Sequence, residues 1–134
     1  MEIYCETGHS YETGTSTLSG IILDDLNLHR AVLESQDLSQ SSLESTNLRG
    51  AFMYEANLND CNFKSANLIT ADLRKATLCN ANLTESILYK ALLILQQWAS
   101  LENGRLIIAI LDENSLYSVM RYGEDVFKDY LDSI

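Results

Sequence analysis

From Leu23 to Leu93 a large apolar residue stands at every fifth position, through fifteen positions without a slip. The series is leucine except at Met53 and Phe63. Neither common secondary structure accepts this period. On an α-helix five residues advance the side chain by about 140°, so the leucines scatter around the axis. On a flat strand five is odd, and successive leucines alternate between faces. The chain must therefore turn a corner once per repeat, with every leucine aimed at a common axis.

A second position repeats with the first. Two residues before the leucine stands a small residue, as at Ala31, Ser41, Thr46, Ala51, Cys61 and Ala81. Leu26 and Gln36 depart from this rule near the N-terminal end, where atypical capping repeats are expected. Between the small residue and the leucine most units carry Asn or Asp, as in Ala56-Asn57-Leu58-Asn59-Asp60. One large and one small inward residue fill a narrow core, and the polar residue between them points outward. Asn and Asp tolerate turn geometry and bond neighbouring backbone, which suits a corner in every unit.

On these residues the chain resembles the pentapeptide-repeat family. The resemblance implies a mainly β fold, a right-handed quadrilateral β-helix with four pentapeptides per coil and the leucine centred on each flat side. Fifteen units then make about four coils. The spacing itself establishes only the period of five. Small members of this family are abundant in cyanobacteria, so the resemblance also implies a bacterial source.

The organisation expected is a single domain. Residues 1–20 form an N-terminal cap segment, 21–95 the β-helix, and 96–134 a C-terminal cap with a small α/β tail. Ile3-Tyr4-Cys5 is the apolar cluster of the first segment and suits one short strand, while Leu18 shares the register of the repeats. After Ser86 the outward positions lose polarity at Ile87, Leu92 and Ile94. A helix over roughly 88–102 competes there with the last pentads and would cover the open core, with Trp98 in the plug. Residues 105–122 read either as a hairpin or, for 113–122, as a helix, and 124–131 as a short amphipathic helix.

The net charge is −10. Such an excess of acid argues against direct nucleic-acid binding, which needs Lys and Arg to neutralise phosphates. The repeat region holds nine acids and six bases, so much of the excess lies in the terminal segments. The longest apolar run is Leu106 to Leu111 and no basic start precedes a hydrophobic segment, which leads to the expectation of a cytoplasmic protein without a membrane span. Three cysteines at unrelated spacings give no disulfide framework.

Catalytic chemistry has little support. Cys5 and His9 stand four apart, but no second pair completes a metal site. His29 follows a central leucine and points to solvent. Asp24 and Asp25 are expected on the outside of a convex rod, where solvent reaches them freely. The chain has no phosphate-binding glycine loop and no nucleophile elbow. The expectation is therefore no enzyme, no metal and no cofactor.

Surface binding is better motivated. With four units per coil, residues twenty apart stack. Val32 then lies beneath Phe52, both where the pattern expects Asn or Asp, and Tyr54 stands beside them. One reading is that the N-terminal segment or a terminal cap folds over Val32, Phe52 and Tyr54. The other is a contact with a protein partner or a second copy of the chain. The function expected is a non-catalytic protein-interaction or scaffold module with an unknown partner. The alternative, drawn from the resemblance, is inhibition of DNA gyrase by a protein that mimics the shape and charge of DNA.

Overall fold

The computed structural model describes residues 1–92. The expectations for 93–134 (the remainder of the plugging helix, the hairpin or helix over 105–122, and the helix over 124–131) lie outside the described residues.

The chain is a β-helix-type solenoid. Its parallel bridges join residues twenty apart: Ile22 to Ser42, Asn62 and Asn82; Asn27 to Asn47, Asn67 and Ile87; Val32 to Phe52, Asp72 and Leu92; Asp37 to Asn57 and Thr77. Twenty residues are four pentapeptides, so each coil has four sides. They are named here by the first central leucine of each: the Leu23, Leu28, Leu33 and Leu38 sides. Each bridge is a single residue, because the chain turns again two residues later.

The corners follow the same rule. Every residue two places after a central leucine, from Gly20 to Lys90, has a positive φ between 56° and 71°. The N–H of the next residue donates to the carbonyl of the central leucine, as from Ala31 to Leu28 at 3.0 Å and Ala51 to Leu48 at 3.0 Å. A bonded turn with positive φ at its third residue is the pattern of a type II turn. Among the described solenoid units the exception is the corner after Leu23. There Leu26 holds the small position, and Thr46 Oγ1 of the next coil donates to Leu23 O at 2.8 Å instead.

The role of Asn and Asp emerges from following the five N–H groups of one unit. The small residue donates across the corner. The bridge residue donates to the coil before, as Ser42 does to Ile21 O at 2.8 Å. The central and corner residues donate to the coil after, as Leu23 does to Ser42 O at 2.7 Å and Asp25 to Glu44 O at 3.0 Å. The fifth N–H, just after the leucine, is left over. It donates to the Asn or Asp oxygen of its own unit, as at Ser39 to Asp37, Lys64 to Asn62 and Thr84 to Asn82, at 3.0 to 3.1 Å. The consensus Asn or Asp thus completes the backbone hydrogen bonding of the repeat.

The core is a stack of the repeated large residues. Leu23, Leu28, Leu38, Leu48, Met53, Phe63 and Leu83 are all completely buried. The small inward residues pack between the sides, and Ser41, Thr46 and Ser86 among them are buried polar groups. Ser86 Oγ donates to Leu83 O at 2.7 Å and Cys61 Sγ to Leu38 O at 2.9 Å. Burial pushes the Cys61 thiol up, consistent with a packing residue.

The N-terminal end is closed by a hairpin of β1 (Glu2–Tyr4) and β2 (Ser10–Glu12), paired antiparallel with Ile3 opposite Tyr11. Beyond β1 the chain lies antiparallel on the first coil. Cys5 bridges Ala31, Val32 N–H donates to Tyr4 O at 2.8 Å, and Glu6 N–H donates to Arg30 O at 3.1 Å. Ile3 and Cys5 are buried and cover the open core. Leu18 is buried as well, and its corner at Gly20 bonds forward to Ser39 O, so the lattice already operates there.

Two expectations are corrected. The competing helix does not begin at Leu88: Ala91 N–H still donates to Leu88 O and Leu92 N–H to Ala71 O, because both inward residues continue the core register. Asp24 is not a free surface carboxylate. It accepts from Ser42 Oγ at 2.6 Å and from Glu44 N–H at 2.9 Å, taking the place of an Asn that the Ser42 unit lacks.

Candidate interaction surface

The sequence singles out Val32, Phe52 and Tyr54, and the fold brings them together on the Leu33 side. Val32 bridges Phe52 directly, and Tyr54 follows the buried Met53 in the same unit. Val32 is 38% exposed, while Phe52 and Tyr54 are half-buried. The N-terminal segment does not fold over them. It extends the side by one rung and adds Tyr4, 54% exposed, next to Val32. At the other end Leu92 is 47% exposed in the same column.

Cations lie on the aromatic rings. Arg30 stands 5.5 Å from the Phe52 ring centre and pairs with Glu6. Arg74 and Lys75 stand 5.8 and 5.4 Å from the ring centre of Tyr54. Arg74 also grips Asp72 with two bonds, Nε to Oδ1 at 2.9 Å and Nη2 to Oδ2 at 2.8 Å. These bonds hold the Asp72 carboxyl below the usual carboxylate range, against the opposing effect of partial burial.

Replacing Asn by Val and Phe has a backbone consequence. With no Asn or Asp at 32 and 52, the N–H groups of Glu34 and Tyr54 have no acceptor among the described residues. At two other such positions the gap is filled from the coil before: Asp24 serves Glu44, and Asn59 Oδ1 accepts from Cys79 N–H at 2.9 Å. After Ile22 and Ile87 the N–H groups of Asp24 and Tyr89 are open as well among the described residues. The Leu33 side alone leaves two consecutive coils open among the described residues. It therefore presents apolar side chains and two free donors together, a combination suited to a protein surface that brings its own acceptors.

Charge is also sorted by side. The flat face of the Leu28 side carries Arg49 and, among the described residues, no acid, while Arg30 and Lys90 share its flanking corners with Glu6, Asp25 and Glu85. The flat face of the opposite Leu38 side carries Asp37 and, among the described residues, no base, with Glu55, Asp60 and Lys75 at its flanking corners. His29, Arg49, Ile69 and Tyr89, twenty residues apart, form one column of this Leu28 face.

Cys5 and His9, raised as chemical candidates, have structural partners. Cys5 is buried against Ala31, and burial raises its thiol pKa. His9 Nδ1 lies 2.7 Å from Thr7 Oγ1, and Nε2 lies 3.1 Å from Asn27 O, which ties the hairpin loop to the first coil. Among the described residues no group of three or more His, Cys, Asp or Glu is placed to hold a metal ion, and no helix is long and apolar enough to cross a membrane. Tyr4 is the surface residue that sequence reasoning missed. Its signal was present in the alternation of Ile3, Tyr4 and Cys5, which puts Tyr4 outward once its neighbours are plugged into the core.

Comparison with known proteins agrees with this geometry. Residues 27–64 and 61–94 match the family model for pentapeptide repeats, in eight copies. Among solved structures, a pentapeptide repeat protein (Rfr23) from the cyanobacterium Cyanothece 51142 is 30% identical, with a TM-score of 0.54. The match covers 69% of this chain and 58% of that one, so this chain spans less than two thirds of that protein's length. A pentapeptide repeat protein from the Arabidopsis thaliana thylakoid lumen is 29% identical over 63% of this chain and 57% of that one, with a TM-score of 0.35. Among curated proteins none matches. With the family model covering half of the sequence and the twenty-residue coil visible in its hydrogen bonds, the chain belongs to the pentapeptide-repeat family.

Proposed function

We propose that this protein is a non-catalytic interaction module of the cytoplasm, a rigid right-handed four-sided rod that binds another protein through its Leu33 side. The observation that carries this reading is the replacement of Asn or Asp by Val32 and Phe52 in consecutive coils. It costs the repeat two backbone acceptors and exposes apolar surface, neither of which helps the solenoid fold. A feature that weakens the scaffold yet occupies the middle of one side is best explained by contact. The sorted charge supports this reading over DNA mimicry, which needs one continuous run of negative potential; the flat Leu28 face, with Arg49 and no acid among the described residues, interrupts such a run.

The test uses substitutions that follow the repeat's own rule. Val32→Asn with Phe52→Asn restores the missing acceptors and so preserves the fold, as circular dichroism and thermal melting will show. The same double variant loses capture of the partner from extracts of the source organism. Undiminished capture by the folded variant overturns the assignment of this surface. A gyrase supercoiling assay without inhibition at micromolar protein removes the mimic.

A further inference from the structure

We infer that the Leu33 side is self-complementary and that its partner is a second copy of this chain. The two rods run antiparallel about a two-fold axis lying along the Phe52–Tyr54 rung. This deepens the interaction reading and rests on it. The argument lies in the order of residues along the side. One outward column runs Tyr4, Val32, Phe52, Asp72, Leu92. The column two residues on runs Glu34, Tyr54, Arg74. Successive rungs are about 4.8 Å apart.

A two-fold axis in the contact plane along the central rung keeps each column and reverses its direction. Tyr54 then meets Tyr54 and Phe52 meets Phe52. Glu34 of each copy meets Arg74 of the other, so the ionic contact is made twice. Tyr4 meets Leu92, the two most exposed apolar residues of the column, at both ends. At the corner between the Leu28 and Leu33 sides, Glu6 and Lys90 likewise exchange. Isologous contacts require just this matching of a surface with its own reverse. The parallel alternative, with its axis along the rod, exchanges the two columns. Glu34 then faces Val32, and Arg74 faces only an Asp72 carboxylate of the kind it already holds within its own chain. The Glu34–Arg74 contact is thus made only in the antiparallel form.

Two contacts oppose it. Glu55 meets its own copy at the corner, where solvent screens the repulsion. Val32 meets Asp72, whose carboxylate is already held by Arg74. Five rungs about 4.8 Å apart make a side small beside the ~800 Å² per partner of a standard interface. The dimer is accordingly weak and concentration-dependent.

Sedimentation equilibrium of the intact chain, from micromolar to millimolar protein at low salt, tests the inference. The mass is expected to rise from 15.0 kDa toward twice that value. Glu34→Arg and Arg74→Glu, each alone, weaken association by roughly tenfold or more, since each sets like charges together. An equimolar mixture of the two variants recovers it, because every facing pair is again of opposite sign. The double variant E34R/R74E recovers it too. Arg49→Glu, the same charge change on the Leu28 side, leaves association unaltered.

A monomer at every concentration overturns the inference, as does a mixture that fails to recover. If the chain stays monomeric while the Val32→Asn, Phe52→Asn variant still loses a different protein, the interaction reading stands and the second copy falls. If that variant changes neither association nor capture, both fall.

Discussion

Asn67 Oδ1 accepts a hydrogen bond from the backbone N–H of Ile69 at 3.1 Å, two residues further along the same pentapeptide. This short bond explains why a repeat defined by its leucines also conserves its polarity at one outward position along the chain. Asn67→Ala removes the acceptor and leaves the N–H half-buried beside Ile69. Chemical denaturation is expected to show a loss of about 1 kcal/mol. Asn67→Asp keeps the oxygen and should fall nearer the parent. Equal losses for the two variants would show that the bond contributes nothing.

The corners give a second prediction. Thr70 holds φ at 58°, a region that β-branched residues avoid, whereas Gly50 one coil earlier is at 66°. Thr70→Gly is expected to raise the denaturation midpoint by the equivalent of ~1 kcal/mol. Gly50→Ala runs the other way, because a Cβ there would stand 3.2 Å from Arg30 Cγ as well as strain the backbone. Gly20→Ala, with φ at 71° and nothing within 4 Å, isolates the strain alone. The Gly50 variant should therefore lose more than the Gly20 variant, by thermal melting of both.

The N-terminal hairpin gives a third. Ile3 is 1% exposed where it covers the open end of the core. Ile3→Ala should cost about 2–4 kcal/mol, in the range of large-to-small core changes. It should also raise hydrogen exchange in the first coil before the third, since local opening starts where the cover is removed. Uniform exchange along the solenoid would place the weak point elsewhere.

The period of five made the inward positions legible, since one slip would turn every later leucine outward. Leu23 through Leu88 are buried as that reasoning requires. The coil length was not legible, because nothing in the spacing distinguishes four units per turn from another number; the bridges from Ile22 to Ser42 and onward supply it. Val32 and Phe52 were visible as departures from the Asn rule. Their two open N–H groups were not, because only the ladder reveals which donor of each unit is left over. Tyr4 and Asp24 escaped for a related reason. Each acts on a residue twenty or more positions away, and local sequence carries no mark of that neighbour until the coil is closed.

Acid provides the last prediction. The Arg74 guanidinium donates twice to Asp72 and its backbone N–H once, and Ser39 donates to Asp37, so both carboxyls are held below the usual carboxylate range. A lowered pKa means that the folded state favours the charged form. Its stabilising effect is present above the unfolded value, about pH 4, and is lost as pH falls through the lower folded value. Thermal stability should thus be flat from neutral pH to about pH 5 and decline below about pH 4. Asp72→Asn keeps an oxygen for the N–H of Arg74 but cannot titrate, so it should begin lower at pH 7 and lose less on acidification. Because Asp72 and Arg74 both stand partly in solvent, salt should reduce the difference between variant and parent. An acid limb with the same slope in both proteins would place the sensitivity in other carboxylates.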